Sequence, residues 1–138
     1  MNNNDTWTAR FQSYRKALAR LQEGVDMDIN ALSDIERDGL VQRFEFTFEL
    51  AWKTLQDYCQ WNSFDVYGPK NSIRKAYELG IIKDGHTWMQ MAKDRNLTVH
   101  TYDETRAIDI IQKIHNSYFQ LLTDLFSQLS NLIENEQE

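Results

Sequence analysis

The chain has 138 residues, 41% of them apolar and 26% charged, which suits one soluble globular domain with a real core and excludes a disordered chain. Its formal net charge of −6 excludes a generally cationic nucleic-acid surface, so any RNA or nucleotide has to meet a local cluster of Lys and Arg. The lone cysteine, Cys59, excludes an internal disulfide and a cysteine-based metal site, and it suits a reducing compartment.

The N-terminal MNNNDTWTAR carries no apolar run and does not read as a signal peptide. No segment approaches the roughly 18 apolar residues of a membrane span. The expected location is the cytoplasm, with no membrane partner. The first helix is marked by Trp7, Phe11, Tyr14, Leu18, Leu21 and Val25 at spacings of three or four, and Gly24 with the polar run after it ends the pattern.

The second and longest helix is predicted from about Ile35 to Trp61. Leu40, Val41, Phe44, Phe48, Ala51, Trp52, Leu55 and Cys59 share one broad face at about 100° per residue. Phe46, Leu50 and Trp61 form a further, narrower apolar stripe, which needs either another helix of the domain or another chain to cover it. Glu45 and Glu49, one turn apart, could chelate a cation, but a solvated or salt-bridged face is the simpler reading. Phe44, Phe48 and Trp52 read as core before they read as a base-stacking platform.

Gly68-Pro69 then marks a turn and helix start, and Ile73, Ala76 and Tyr77 with a terminal Gly80 make a short third helix. A fourth helix is predicted over about Gly85 to Arg95, carrying Trp88, Met89, Met91 and Ala92, with His86 on its surface. In the last helix Ile108, Ile111, Tyr118, Phe119, Leu122, Leu125, Phe126, Leu129 and Ile133 form a wide stripe. His115 falls within that stripe and reads as a core histidine. The acidic tail at 134–138 is expected to fray. The whole chain, 1–138, thus reads as one all-α domain, an antiparallel bundle of about five helices with its core at about 8–130.

Between the last two helices lies RNLTVHTYDE, residues 95–104. Thr101 and Glu104 have the spacing of a capping box, which makes Thr101 the expected N-cap and Tyr102 the first helical residue. The β-branched Thr98 and Val99 weaken a helix, so a break is predicted at about 96–100. In an unbroken helix Arg95 and His100 would point about 140° apart; a break lets them converge at the positive end of the last helix. Arginine offers a forked donor set for phosphate, and histidine can exchange a proton near neutral pH. Such a pair suits phosphodiester cleavage without metal, with histidine as acid or base and arginine stabilising the developing charge. The same spacing also fits two side chains that serve only local structure, and Asp103 and Glu104 temper the local positive charge.

The stretch RNLTVHTY, residues 95–102, resembles the R-x4-H-x-Y motif of HEPN-domain proteins. FEFTFELAWKTLQDY, residues 44–58, and GPKNSIRKAYELGII, residues 68–82, are similar to the nucleotidyltransferase substrate-binding, or HepT-like, subfamily, and the three blocks stand in the expected order. The resemblance implies a HEPN-like bundle that forms a homodimer, with two R-x4-H motifs meeting at a shared cleft. It implies a toxin acting as a metal-independent endoribonuclease on an RNA substrate, with Arg95 and His100 catalytic, Asn96 supporting the site, and neither metal nor cofactor. It implies a partner, a minimal nucleotidyltransferase, that silences the toxin by attaching AMP at Tyr102. The alternative is a non-catalytic subunit that binds a substrate or nucleotide for that enzyme.

Overall fold

In the computed structural model, which describes residues 4–100 and 102–137 and the side chains of 7–100 and 102–135, helix α1 (Asn4–Val25) buries Trp7, Phe11, Tyr14, Leu18 and Leu21 along one face. A short connection with a 3₁₀ turn at Ile29–Ala31 leads into α2 (Asp34–Trp61). The start of α2 is set by a capping box. The Glu36 amide donates to Ser33 Oγ at 3.2 Å, and the Ser33 amide donates to Glu36 Oε1 at 2.8 Å. The Ser33 amide foremost, and its hydroxyl second, hold the Glu36 carboxyl below its ordinary range.

The two helices pack antiparallel. Trp7 meets Tyr58 edge-on at 5.1 Å, Arg10 Nε bridges to Asp57 at 2.6 Å, and Thr47 Oγ1 donates to the Ala17 carbonyl at 3.2 Å. Near the far end a Cβ at Gly24 would lie 2.6 Å from Leu40 Cδ1, so glycine permits the close approach there. Helix α3 (Pro69–Glu78) opens on proline and closes on Gly80 at φ +76°. The Gly80 amide donates to the Tyr77 carbonyl at 3.1 Å and Ile81 to Ala76 at 2.9 Å, a Schellman ending that requires the left-handed glycine.

Helix α4 (Gly85–Leu97) is capped by Asp84, which accepts from the Thr87 amide at 3.1 Å. It runs antiparallel to α2, with Trp88 beside Phe48 at 6.4 Å and Arg95 beside Glu45. A 3₁₀ turn, Thr98–His100, tightens its exit. Helix α5 (Glu104–Lys113), a π-helical turn at Ile114–Tyr118 and α6 (Phe119–Gln137) then form one continuous rod. Tyr118 stacks on Phe44 at 5.9 Å and Phe11 on Phe126 at 5.4 Å, and the Tyr14 hydroxyl donates to the Leu122 carbonyl. Helix α2 is the spine against which the others bury their apolar faces.

Counting the rod as one, the described residues form five helices and no strand, the all-α antiparallel bundle that the periodicity predicts. Among them no helix is long and apolar enough to cross a membrane. Several local expectations are corrected. Thr101 lies outside the described residues, and the last rod begins at Glu104 with Asp103 as its N-cap, accepting from the Thr105 amide at 3.1 Å. Aspartate caps at least as well as threonine, so Tyr102 precedes the helix and is not its first residue.

His115 is exposed, not a core histidine. The buried line runs through Ile111, Ile114 and Tyr118, and His115 follows Ile114 by about 100° on the solvent side. Ile108 also leaves the stripe and is 39% exposed. The acidic tail stays helical to Gln137, since Glu and Gln are good helix formers and nothing there breaks the pattern. Of the second α2 stripe, Leu50 and Trp61 pack against the core of this chain, whereas Phe46 remains 58% exposed.

Candidate functional site

Arg95 stands in the last turn of α4, and its guanidinium is turned toward α2. Nη1 lies 3.4 Å from Glu45 Oε2 and Nε lies 3.5 Å from Glu49 Oε1. Among the described residues the Nε proton has no hydrogen bond, so its link to Glu49 is an ion pair of imperfect alignment. Thr98 fixes the residue at both ends. Its hydroxyl donates to the Arg95 carbonyl at 2.7 Å and accepts from Nη1 at 3.1 Å. Glu49 also accepts from Trp52 Nε1 at 3.2 Å, which holds the carboxylate on the same side. The arginine therefore sits in a fixed pose, with about a quarter of its side chain still open to solvent.

His100 ends the 3₁₀ turn and is exposed. Its Nδ1 lies 3.2 Å from the Tyr102 hydroxyl, and the two rings meet edge-on at 5.8 Å. Tyr102 is 84% exposed. Asn96 is exposed on the outer side of the last α4 turn and, among the described residues, makes no side-chain hydrogen bond. The structure thus joins His100 to Tyr102 and Arg95 to α2. It makes no direct hydrogen bond or ion pair between Arg95 and His100 within one chain.

Beside Tyr102 opens a cleft of about 530 Å³ lined by Asp34, Arg37, Asp38, Val99, Glu104 and Ala107. Three carboxylates face one arginine there. Arg37 is already engaged by Asp34, by Glu104 at 3.2 Å and by the Leu32 carbonyl at 3.0 Å. Among the described residues no group of three His, Cys, Asp or Glu side chains is placed to hold a metal ion.

A second network forms around Asp94, the residue before Arg95. Asp94 is 4% exposed, accepts from the Tyr118 hydroxyl, and faces Lys113 Nζ at 3.4 Å. Lys113 also meets Asp109 at 3.3 Å. Burial works against the Lys113 charge, yet the bonds to Asp109 and Asp94 hold its ammonium above the ordinary value. Burial, reinforced by Asp94, pushes the Tyr118 hydroxyl far above its usual range, so it stays a donor. The π turn places Tyr118 at the right height to reach Asp94 from the rod.

The family model described as "Nucleotidyltransferase substrate binding protein like" matches residues 9–131. The chain belongs to this family. It is a HepT-like HEPN protein: the Haemophilus influenzae "Probable ribonuclease HepT" is 30% identical, covering 77% of each chain. A Thermus thermophilus crystal structure is 38% identical with a TM-score of 0.77, covering 84% of this chain and 98% of that one. A Haemophilus influenzae structure, described as revealing the fold of a substrate binding domain of a nucleotidyltransferase, is 28% identical with a TM-score of 0.62, covering 91% and 98%.

In this HepT-like protein the sequence points to Arg95, His100 and Tyr102 but not to the groups that orient the arginine. Glu45 and Glu49 carry a usable signal, two carboxylates one turn apart, and their salt-bridged reading holds. Thr98 carries none, because only the packed turn brings its hydroxyl to Arg95, and the Asp94–Lys113 pair carries none because it joins α4 to the rod.

Proposed function

We propose that this HepT-like protein is the toxin of a toxin–antitoxin pair, a cytoplasmic endoribonuclease that works without metal and is silenced by a minimal nucleotidyltransferase. The observation that carries the reading is the His100–Tyr102 pair, 3.2 Å from ring nitrogen to hydroxyl, within a chain of the HepT family. His100 is exposed, and an imidazole is suited to take the proton of a ribose 2′-hydroxyl or to give one to the departing 5′-oxygen. The new bond joins the 2′-oxygen to phosphorus while the bond to the 5′-oxygen breaks, leaving a cyclic phosphate and a free 5′-hydroxyl. Arg95, held by Glu45, Glu49 and Thr98, supplies donors to the charge that grows on the phosphate oxygens.

One histidine cannot serve both proton transfers in a single step. A homodimer supplies two, and it would also bring each Arg95 near a histidine that its own chain does not offer it. Asn96 is the neighbouring polar group at that meeting point. Tyr102 is the modification site: it is 84% exposed, and an AMP on its oxygen would lie against His100 and place a negative charge where the RNA phosphate must enter.

Purified, unmodified protein is expected to cleave RNA in the presence of chelator and to arrest growth when expressed alone. Coexpression with the nucleotidyltransferase is expected to add the mass of AMP, an increment lost in Tyr102→Phe. The second reading, a non-catalytic subunit that holds a substrate or nucleotide for its partner enzyme, draws on the acidic wall of Asp34, Asp38 and Glu104, which opposes an RNA backbone beside Tyr102 and suits an uncharged or cationic substrate better than a nucleotide. It predicts stable complex formation with no cleavage and no arrest.

A further inference from the structure

The cleft beside Tyr102 is a poor seat for RNA because carboxylates outnumber its single, already engaged arginine. The opposite character appears one face away on the same helix. Between α1 and α2 lies a groove of about 450 Å³ whose floor is Ala17, Gly39 and Leu50, with Phe46 standing exposed at its edge. Its charged lining is entirely cationic: Lys16, Arg20 and Arg43.

Arg43 is spoken for by Glu23 at 3.1 Å and by the Arg20 carbonyl at 2.6 Å. Lys16 and Arg20 are different. They are one turn apart on α1, both exposed, and among the described residues neither has an acidic partner. Like charges at that spacing repel, and in a chain of net charge −6 acidic partners are plentiful. Two unpaired cations beside an exposed aromatic ring and an apolar floor match a single-stranded nucleic acid, which offers phosphate to the cations and a base face to the ring.

The position fits as well. Glu45 and Glu49 hold Arg95, and the very next residues, Phe46 and Leu50, line the groove about 100° further round α2. We infer that the α1–α2 groove is an RNA-strand subsite, in which Phe46 stacks on a base flanking the cleaved bond and Lys16 and Arg20 hold its phosphates. This inference rests on the ribonuclease reading of Arg95 and His100, and it supplies the positive surface that the acidic motif end lacks.

The test uses the full chain with His100→Ala, so that RNA is bound but not consumed, and a labelled mixed-sequence oligoribonucleotide of about a dozen nucleotides. Phe46→Ala is expected to weaken binding roughly 5- to 150-fold, the range for one lost base stack. Lys16→Ala with Arg20→Ala is expected to lower the slope of log affinity against log salt by about 1.4, from two lost contacts to a single strand. Arg74→Ala, exposed on α3 away from the groove, should change neither.

Unchanged affinity and salt slope in the groove variants, while cleavage by the parent chain still depends on Arg95 and His100, overturn the subsite and leave the ribonuclease reading intact. Loss of RNA affinity in those variants with no Arg95- or His100-dependent cleavage by the parent chain keeps the groove as an RNA site and removes the ribonuclease reading. If Phe46→Ala instead lowers the molecular mass in light scattering, or abolishes binding of the nucleotidyltransferase, with RNA affinity untouched, the groove is a protein interface and the inference fails.

Discussion

Removing one buried oxygen, in Tyr118→Phe, isolates the network that anchors the end of α4. The ring stays: it is 2% exposed and stacked on Phe44 at 5.9 Å, so neither apolar burial nor volume changes appreciably. What is lost is one hydrogen bond to a carboxylate that is itself only 4% exposed. Hydrogen bonds to charged groups contribute about 1.5–3 kcal/mol net, and Lys113 at 3.4 Å remains to compensate part of the Asp94 charge, so the expected loss is about 2 kcal/mol. For a chain of this size that corresponds to a fall in Tm of roughly 6–8 °C.

Urea unfolding followed by tryptophan fluorescence measures the loss directly, with the slope in denaturant expected to stay constant. Because the Tyr118 hydroxyl stays protonated far into the alkaline range, the penalty should be the same at pH 6 and pH 9. The decisive control repeats Tyr118→Phe in an Asp94→Ala background, where the hydroxyl has lost its acceptor and its removal should cost almost nothing. An equal cost in both backgrounds would show that the hydroxyl owes its contribution to something other than Asp94.

Ser33→Ala should destabilise by about 1 kcal/mol through loss of the α2 cap. The Ser33 amide, the larger cause of the lowered Glu36 pKa, survives in Ser33→Ala and only the hydroxyl's share is lost; that share is present above the unfolded carboxylate range and lost as pH falls through the lowered value, so the gap between wild type and Ser33→Ala should narrow only in part on acidification and stay flat from pH 6 to 8. Burial pushes the Cys59 thiol up to about 11, with Lys75 opposing, so native protein should leave a thiol reagent unreacted at pH 8 while urea-unfolded protein reacts at once; equal rates would show the thiol is accessible. Intact-mass measurement after coexpression should show the AMP increment on wild type and none on Tyr102→Phe; an increment that survives the substitution would move the modification elsewhere.

The helices were legible because their signals are local. Trp7 to Leu21, Leu40 to Leu55 and the Gly68-Pro69 and Gly80 boundaries each declare themselves within a few positions. The last rod was legible in its existence but not its start, because Asp103 and Thr101 are both good caps and only packing decides between them. His115 departs from its expected burial for a similar reason: the apolar stripe of the rod is narrower in the bundle than in the residue pattern, and the buried line runs through Ile114 and Tyr118.

The site was legible only in part. Arg95, His100 and Tyr102 stand in one motif, so spacing and family resemblance can find them. The clamp on Arg95 joins α2, through Glu45 and Glu49, to the turn that ends α4, through Thr98; the residue before it, Asp94, is fixed separately by Tyr118 and Lys113 on the rod, beside a π turn that no residue pattern announces. The unpaired cations of the α1–α2 groove were equally hidden, because a charge is known to lack a partner only once the neighbouring helices are in place.

The ribonuclease reading of this HepT-like protein stands on Arg95 and His100. Its most direct test is the rate of RNA cleavage by purified, unmodified protein in chelator, set against His100→Ala and Arg95→Ala prepared alongside it. Cleavage is expected to leave cyclic phosphate ends and to fall by about 10²- to 10⁴-fold when the histidine's proton transfer is removed, with a comparable loss for the arginine. Cleavage that is unchanged in both variants, or absent from a parent chain shown to be folded and free of AMP, would contradict it.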